Sequence, residues 1–161
     1  MNTIVFALEE ISLDDEINTL KNYLALEKKM STVTFEYEIE KKLNNIDSEE
    51  ILIPPMLLQP FIENSIKHAF NANSKNPCIT IKFKVENQFL AFCIKDNGIG
   101  YLQSKKNTTT HTSHKSLALK VTKERIENLS KHHCFSIHEI VDCTKITGTK
   151  VTFKIPLKTD Y

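Results

Sequence analysis

Ile53-Pro54-Pro55-Met56-Leu57-Leu58-Gln59-Pro60-Phe61-Ile62-Glu63-Asn64-Ser65-Ile66-Lys67-His68 is the stretch from which the rest of this 161-residue chain can be read. Proline is tolerated at the start of a helix, where its missing N–H costs least. Pro54-Pro55 suit a helix start, and Met56 to Phe70 predicts a buried helix with Pro60 in or near its first turn. Leu57, Leu58, Phe61, Ile62 and Ile66 form its apolar stripe. Glu63, Asn64, Lys67 and His68 include i, i+3 and i, i+4 neighbours and share one face. An amide oxygen and a carboxylate are hard-cation ligands, and Mg²⁺ is usually held by few protein oxygens together with phosphates. A lysine one turn on can neutralise phosphate. The competing reading is a solvated polar face on an amphipathic helix.

Glycine usage marks two further places. The chain has three glycines, where average usage would give roughly 11. Gly98 and Gly100 lie in Asp96-Asn97-Gly98-Ile99-Gly100, and Gly148 lies in Thr147-Gly148-Thr149. Glycine is needed where the backbone takes positive φ or a ligand must approach it closely. A carboxylate at a strand end can accept from the exocyclic amine of a purine, and the glycines let the backbone bend under a planar base. Asn-Gly is equally the strongest short turn signal, so turn and site stand side by side here. Thr149 could reach the same base or simply start a strand.

Working outward, Ser12 followed by Asp14-Asp15-Glu16 reads as a helix N-cap with acids in the first turn. Leu13, Ile17, Leu20, Leu24 and, less regularly, Leu26 carry a helix to about Met30. Val33, Phe35, Tyr37 and Ile39 alternate as a half-buried strand, and Lys41 to Glu50 reads as loop. After a turn-rich break at Asn71 to Pro77, Ile79, Ile81, Phe83 and Val85 alternate, as do Leu90, Phe92 and Ile94. Asn87-Gln88 turns the chain between them, so an antiparallel hairpin delivers Asp96 at a strand end. Tyr101 to Lys115 lacks an apolar period and reads as a mobile, lid-like loop. It ends at Lys115-Ser116, ahead of a helix over Leu117 to Leu129, and helix N-termini bind phosphate. Phe135, Ile137 and Ile140 suggest a strand with imperfect alternation. Val151, Phe153 and Ile155 make the last one, closed by Pro156. This order predicts an α/β fold, a layer of helices on one face of a mixed sheet.

Composition narrows the function classes. Hydrophobic residues make up 40% and charged residues 25%, an ordinary globular balance. A net charge of +1 gives no electrostatic argument for nucleic acid or an anionic membrane. No apolar run reaches transmembrane length, and the N-terminus lacks the basic region of a signal peptide. Cys78, Cys93, Cys134 and Cys143 show no CxxC spacing and read as reduced thiols. His111, His114, His132 and His133 read as surface residues, and Lys123 and Glu124 as a solvated face.

Together the blocks resemble the N, G1, G2 and final Gly-Thr boxes of the GHKL ATPase superfamily. The string from Ile53 to His68 looks specifically like the LytS/YehU-type sensor histidine kinases. Leu13-Asp14-Asp15-Glu16-Ile17, Tyr23-Leu24-Ala25-Leu26-Glu27 and Leu119-Lys120-Val121-Thr122-Lys123-Glu124-Arg125-Ile126 also match that family, so the resemblance runs from Ser12 to Leu157. It implies a Bergerat-type two-layer sandwich, helices on a mixed, largely antiparallel sheet with an N-terminal helix, binding ATP and Mg²⁺. By match to the boxes, Asn64 would coordinate Mg²⁺ and Asp96 would contact the adenine amine. Gly98 and Gly100 would line the base, with Thr149 near it. Lys67 and His68 would face the nucleotide, Glu63 would take the acid position used as base or polariser, and Ser116 and Leu117 would lie at the phosphates.

Two departures stand out. Ser116-Leu117-Ala118-Leu119 occupies the place of a Gly-x-Gly-Leu box, so Ala118 puts a Cβ where backbone should approach phosphate. No histidine precedes His68, whereas the family's phosphoacceptor histidine lies upstream. The expected organisation is a helical segment over 1–30, downstream of the acceptor helix, and an ATP-binding catalytic domain over 31–161. The expected function is a protein histidine kinase domain that passes the γ-phosphoryl of ATP to a histidine outside the chain and is inactive alone. Its expected partners are the histidine-containing dimerisation segment of the same parent kinase and a response regulator, with no nucleic acid and no membrane contact. The expected location is cytoplasmic, with an inner-membrane anchor for the parent protein left open. The alternative is a degenerate nucleotide-sensing module without transferase activity. A hydrolase of the gyrase kind is disfavoured by the Pro-Pro-x-x-Leu-Gln-Pro string.

Overall fold

A computed structural model describes residues 9–100, 112–130 and 134–161, with the backbone alone over 112–116. After the two-residue strand β1 (Ile11–Ser12), helix α1 runs over Leu13–Met30. Ser12 caps it as expected: its hydroxyl oxygen accepts from the Asp15 N–H at 3.0 Å, and Asp14, Asp15 and Glu16 occupy the first turn. An oxygen acceptor and negative charge at this end offset the unpaired N–H groups and the helix dipole. Strand β2 spans Glu36–Lys42 and the short β3 Leu52–Ile53, which pairs with β1. Helix α2 covers Gln59–Asn64 and continues as a π-helical turn over Ser65–Ala69. Then follow β4 (Cys78–Glu86), β5 (Phe89–Asp96), α3 (Thr112–Ser130), β6 (Ser136–Asp142) and β7 (Lys145–Pro156).

The main sheet has the order β2-β4-β5-β7-β6; β2 and β4 are parallel and every other pair is antiparallel. A parallel pair cannot be closed by a tight turn. The connection from β2 back to β4 therefore has to cross over, and this crossover carries α2. The period-2 alternation sends Ile79, Ile81, Phe83 and Val85, Leu90, Phe92 and Ile94, and Val151, Phe153 and Ile155 inward. Leu13, Ile17, Leu20 and Leu24 of α1, Phe61 and Ile62 of α2 and Ile126 of α3 join the same core. Phe92 stacks on Phe153 with centroids 4.6 Å apart, and Phe61 tilts onto Phe153 at 6.1 Å. The other sheet face, with Lys82, Lys84 and Lys95, is exposed. The expected layer of helices on one face of a mixed, largely antiparallel sheet is the architecture observed.

Several boundaries differ from the sequence reading. Helix α2 starts at Gln59, not at Met56, because Met56 sits in the left-handed region (φ 61°) and Leu58 is its N-cap. Pro60 falls in the first turn, as expected. Helix α3 is already formed at Thr112, so Thr112 to Lys115 is helical instead of loop. The rest of the predicted lid, like His111, His132 and His133, lies outside the described residues. A register shift between Ile140 and Val141 accounts for the imperfect alternation of β6. Asn87, at φ 55°, makes the expected turn between β4 and β5. The four cysteines are free. No helix among the described residues is long and apolar enough to cross a membrane.

Phe92 is 1% exposed at the centre of the aromatic stack. Phe92→Ala should lower the unfolding free energy by about 3–5 kcal/mol, a large share of the roughly 5–15 kcal/mol typical of a domain. Urea unfolding reads this as a shifted midpoint; an unchanged midpoint would contradict the central place of this ring.

Candidate functional site

The apolar alternation of β5 does not stop at Ile94. It continues to Asp96, which is turned inward and is 4% exposed. Its direct partner across β5 and β7 is Thr149, the inward residue two before Val151. A buried carboxylate needs hydrogen-bond donors. Asp96 has them: Oδ1 accepts from the Gly98 N–H at 3.0 Å and the Thr149 N–H at 3.2 Å, and Oδ2 accepts from the Ser65 hydroxyl at 2.7 Å. Burial pushes its carboxyl above the ordinary aspartate value, and these three donors pull it back. Ser65 was not singled out in the sequence. Its signal is a hydroxyl between Ile62 and Ile66 on the buried side of the helix, in a position that an apolar residue would normally fill.

The bend after Asp96 is shaped by side chains of both neighbours. Asn97 Oδ1 accepts from the Cys78 N–H at 2.7 Å and its amide donates to the Asn76 carbonyl at 2.9 Å. The Asn-Gly pair is thus tied to the start of β4 and is not a two-residue hairpin turn. The Ile99 N–H donates to the Ala69 carbonyl at 3.0 Å. A Cβ on Gly98 would lie 2.5 Å from both that carbonyl oxygen and the Ala69 Cβ, so glycine is required for the bend to seat against the π turn. Gly100 takes φ 96°, where a side chain is strained. It is walled by Ile146 and Glu139. A Cβ on Gly148 would collide with the Asp96 carbonyl. All three glycines are therefore spent where two backbones, or backbone and hairpin, meet.

The polar helix face forms one wall of a cleft. Pro60, Glu63, Asn64, Lys67 and His68 line one wall, and Ala118 and Leu119 of α3 line the other. Glu63 and Lys67 are paired at 2.6 Å, both side chains about two-fifths exposed. The hydrogen bond to Glu63 raises the Lys67 ammonium above its ordinary value, so it stays charged at neutral pH. Tyr23 of α1 stands near the same pair; burial raises its phenol, and the Glu27 and Glu63 carboxylates push the same way. Asn64 and His68 are half-buried. Helix α3 already begins at Thr112, ahead of the positions expected at the phosphates. Ser116 and Leu117 lie inside the helix, Leu117 is 55% exposed, and Ala118 and Leu119 line the cleft. The structure thus brings Asp96, Gly98 and Thr149 together, and Glu63, Asn64, Lys67 and His68 together. Ser65 joins the two groups, since it lies in the same helix as the second and bonds the first.

A helix-borne polar face, a buried strand-end aspartate and a glycine-rich bend on such a sandwich define an ATPase class. Residues 54–159 match the family of histidine kinase-, DNA gyrase B- and HSP90-like ATPases, and the chain belongs to that family. Within it the chain is similar to sensor proteins. It is 30% identical over 158 residues to the sensor protein LytS of Enterococcus faecalis, covering 92% of this chain and 25% of that protein. It is 32% identical over 160 residues to the sensor protein kinase HptS of a bovine strain of Staphylococcus aureus, covering 91% and 28%. It is 30% identical over 103 residues to LytS of Staphylococcus epidermidis, covering 64% and 17%. The chain thus spans about a quarter or less of most of these relatives' length. Among solved structures, the catalytic domain of histidine kinase ThkA aligns with a TM-score of 0.55 at 15% identity, covering 94% of this chain and 98% of that one. The Acinetobacter baumannii histidine kinase AdeS aligns at 0.57 and 16%, covering 94% and 68%. These two likenesses establish the shared fold.

Ser65→Ala removes a donor from a buried carboxylate and should cost about 1–3 kcal/mol. It should also raise the Asp96 midpoint further, because the hydroxyl lowers it. Asp96 titrates above its unfolded value, so its contribution to stability grows as pH falls through the folded midpoint toward 3.8. Carboxyl NMR titration of wild type and variant checks both points; an Asp96 midpoint at or below 3.8 would contradict them.

Proposed function

We propose that this chain is the ATP-binding catalytic part of a sensor histidine kinase. It would present the γ-phosphoryl group of ATP to a histidine on a segment outside these residues. The phosphorus–oxygen bond to ADP breaks as a phosphorus–nitrogen bond forms on the imidazole. Such transfer is mostly positioning and charge neutralisation. The observation that carries the reading is Asp96. A carboxylate accepts about four hydrogen bonds, and the three donors held by the fold leave acceptor capacity for the amine of an adenine. Thr149 and Gly98 shape the same spot. The cleft wall fits the phosphate end: Asn64 offers an amide oxygen to Mg²⁺, and Lys67 offers a positive charge. Glu63 is engaged by Lys67, so Asn64 is the better metal ligand. Glu63 is left to polarise the incoming imidazole, and His68 lines the nucleotide. Segment 1–30 would lead from the acceptor helix into domain 31–161, on the cytoplasmic side. The phosphohistidine would serve a response regulator.

A second reading, a nucleotide sensor without transferase activity, is favoured by one observation. Ala118 stands where the family carries glycine, and it lines the cleft. A fragment carrying the acceptor helix, mixed with this chain and radiolabelled ATP·Mg²⁺, separates the two. Labelled histidine supports the kinase; nucleotide binding without label supports the sensor; no binding overturns both.

Asp96→Asn keeps acceptors for Gly98 and Thr149 and should leave the fold intact. It should weaken ATP about tenfold or more, the equivalent of about 1.5–3 kcal/mol for a charged acceptor. Asn64→Ala should weaken ATP more with Mg²⁺ present than with a chelator. Calorimetric titration of both variants under both conditions checks this. Unchanged affinity in the folded Asp96 variant, or equal loss for Asn64→Ala with and without metal, would remove the respective role.

A further inference from the structure

One peptide unit joins two helices that are far apart in sequence. The Met56 N–H donates to the carboxylate of Glu16, at 3.1 Å to Oε1 and 3.3 Å to Oε2. The carbonyl of the same unit, on Pro55, accepts from Nη2 of Arg125 at 3.2 Å. The unit is trans, so its N–H and C=O point in opposite directions. Glu16 belongs to α1 and Arg125 to α3. The peptide plane therefore has one helix on each of its polar ends. The grip holds Met56 in a left-handed conformation that non-glycine residues rarely adopt. Leu57 and Leu58, fully buried, follow directly, and α2 begins at Gln59.

We propose that Glu16 and Arg125 are positioning residues for the nucleotide cleft, acting through the Pro55–Met56 peptide. This rests on the ATP-binding reading above. The two cleft walls are α2, which starts three residues after Met56, and the N-terminal half of α3, two turns before Arg125. Holding the peptide plane sets the start of α2, and the Arg125 bond sets α3 against it. Glu16 makes the position of α1 part of the same arrangement. Nucleotide occupancy and the position of α1 are thereby coupled, and such coupling is reciprocal.

Glu16 is 2% exposed, and its carboxyl is raised above the ordinary glutamate value by burial, against the Met56 N–H and the Arg125 charge. A group whose charged form is disfavoured on folding detracts from stability at neutral pH. A neutral amide of the same shape would fold at least as well while still accepting from Met56. The charge is then accounted for by Arg125, which it attracts.

The test is Glu16→Gln, Arg125→Ala, Arg125→Lys and the Glu16→Gln/Arg125→Ala double variant of this chain, each measured by thermal unfolding and by ATP·Mg²⁺ calorimetry. Glu16→Gln should keep or raise the unfolding temperature and weaken ATP roughly three- to tenfold. Arg125→Ala should weaken ATP by a similar factor, and Arg125→Lys should recover part of it. The double variant should lose little beyond Arg125→Ala alone. Wild-type affinity in folded Glu16→Gln and Arg125→Ala would overturn the proposal and leave the ATP reading standing. Fully additive losses in the double variant would equally overturn the coupling. A wild-type chain that binds no ATP·Mg²⁺ would overturn both.

Discussion

The Asp96 carboxylate is bonded at once to the π turn through Ser65, to the glycine bend through Gly98 and to β7 through Thr149. Charge in a low-dielectric interior is costly, and the cost falls only when donors are fixed around it. Each of those donors therefore has to be held in place, and much of the surrounding geometry follows. Gly148 must lack a side chain so that β7 can approach the Asp96 backbone. Gly98 must lack one so that the bend can close on Ala69. Ser65 must face inward on a helix whose neighbouring positions are apolar.

The π turn fits this demand. Single π turns recur at functional sites, where the extra residue per turn redirects side chains. Here Ser65 reaches the sheet while Glu63, Asn64, Lys67 and His68 remain at the cleft. Polar residues thus leave the same short helix on two sides, one set toward the buried carboxylate and one toward the cleft. The core beneath, centred on Phe61, Phe92 and Phe153, keeps that helix from sliding over the sheet.

A second buried carboxylate, Glu16, shows the same physics used differently. Asp96 is surrounded by donors from the site itself. Glu16, in α1, lies away from the site and holds the turn at Pro55–Met56, which also accepts from Arg125 of the helix that walls the cleft. Both have raised carboxyls with burial as the leading cause. In both, hydrogen-bond donors from distant parts of the chain are gathered around a buried carboxylate.

Much of the fold was legible in the chain because its signals are periodic. Alternation in β4, β5 and β7, the Ser12 cap and the apolar stripe of α1 act through nearest neighbours and hold in any tertiary setting. The same alternation carries Asp96 inward, so its burial at the strand end could be read from position alone. Three things needed the tertiary structure. The left-handed Met56 delays the start of α2, since it is stabilised by Glu16, 40 residues earlier. The extension of α3 back to Thr112, and the facing of Ala118 and Leu119 into the cleft, depend on how that helix packs on α2. The roles of Ser65 and Arg125 depend on partners 31 and 70 residues away. Local sequence specifies which residues turn inward and how far a helix can run; which buried polar groups meet one another is decided only when the layers close.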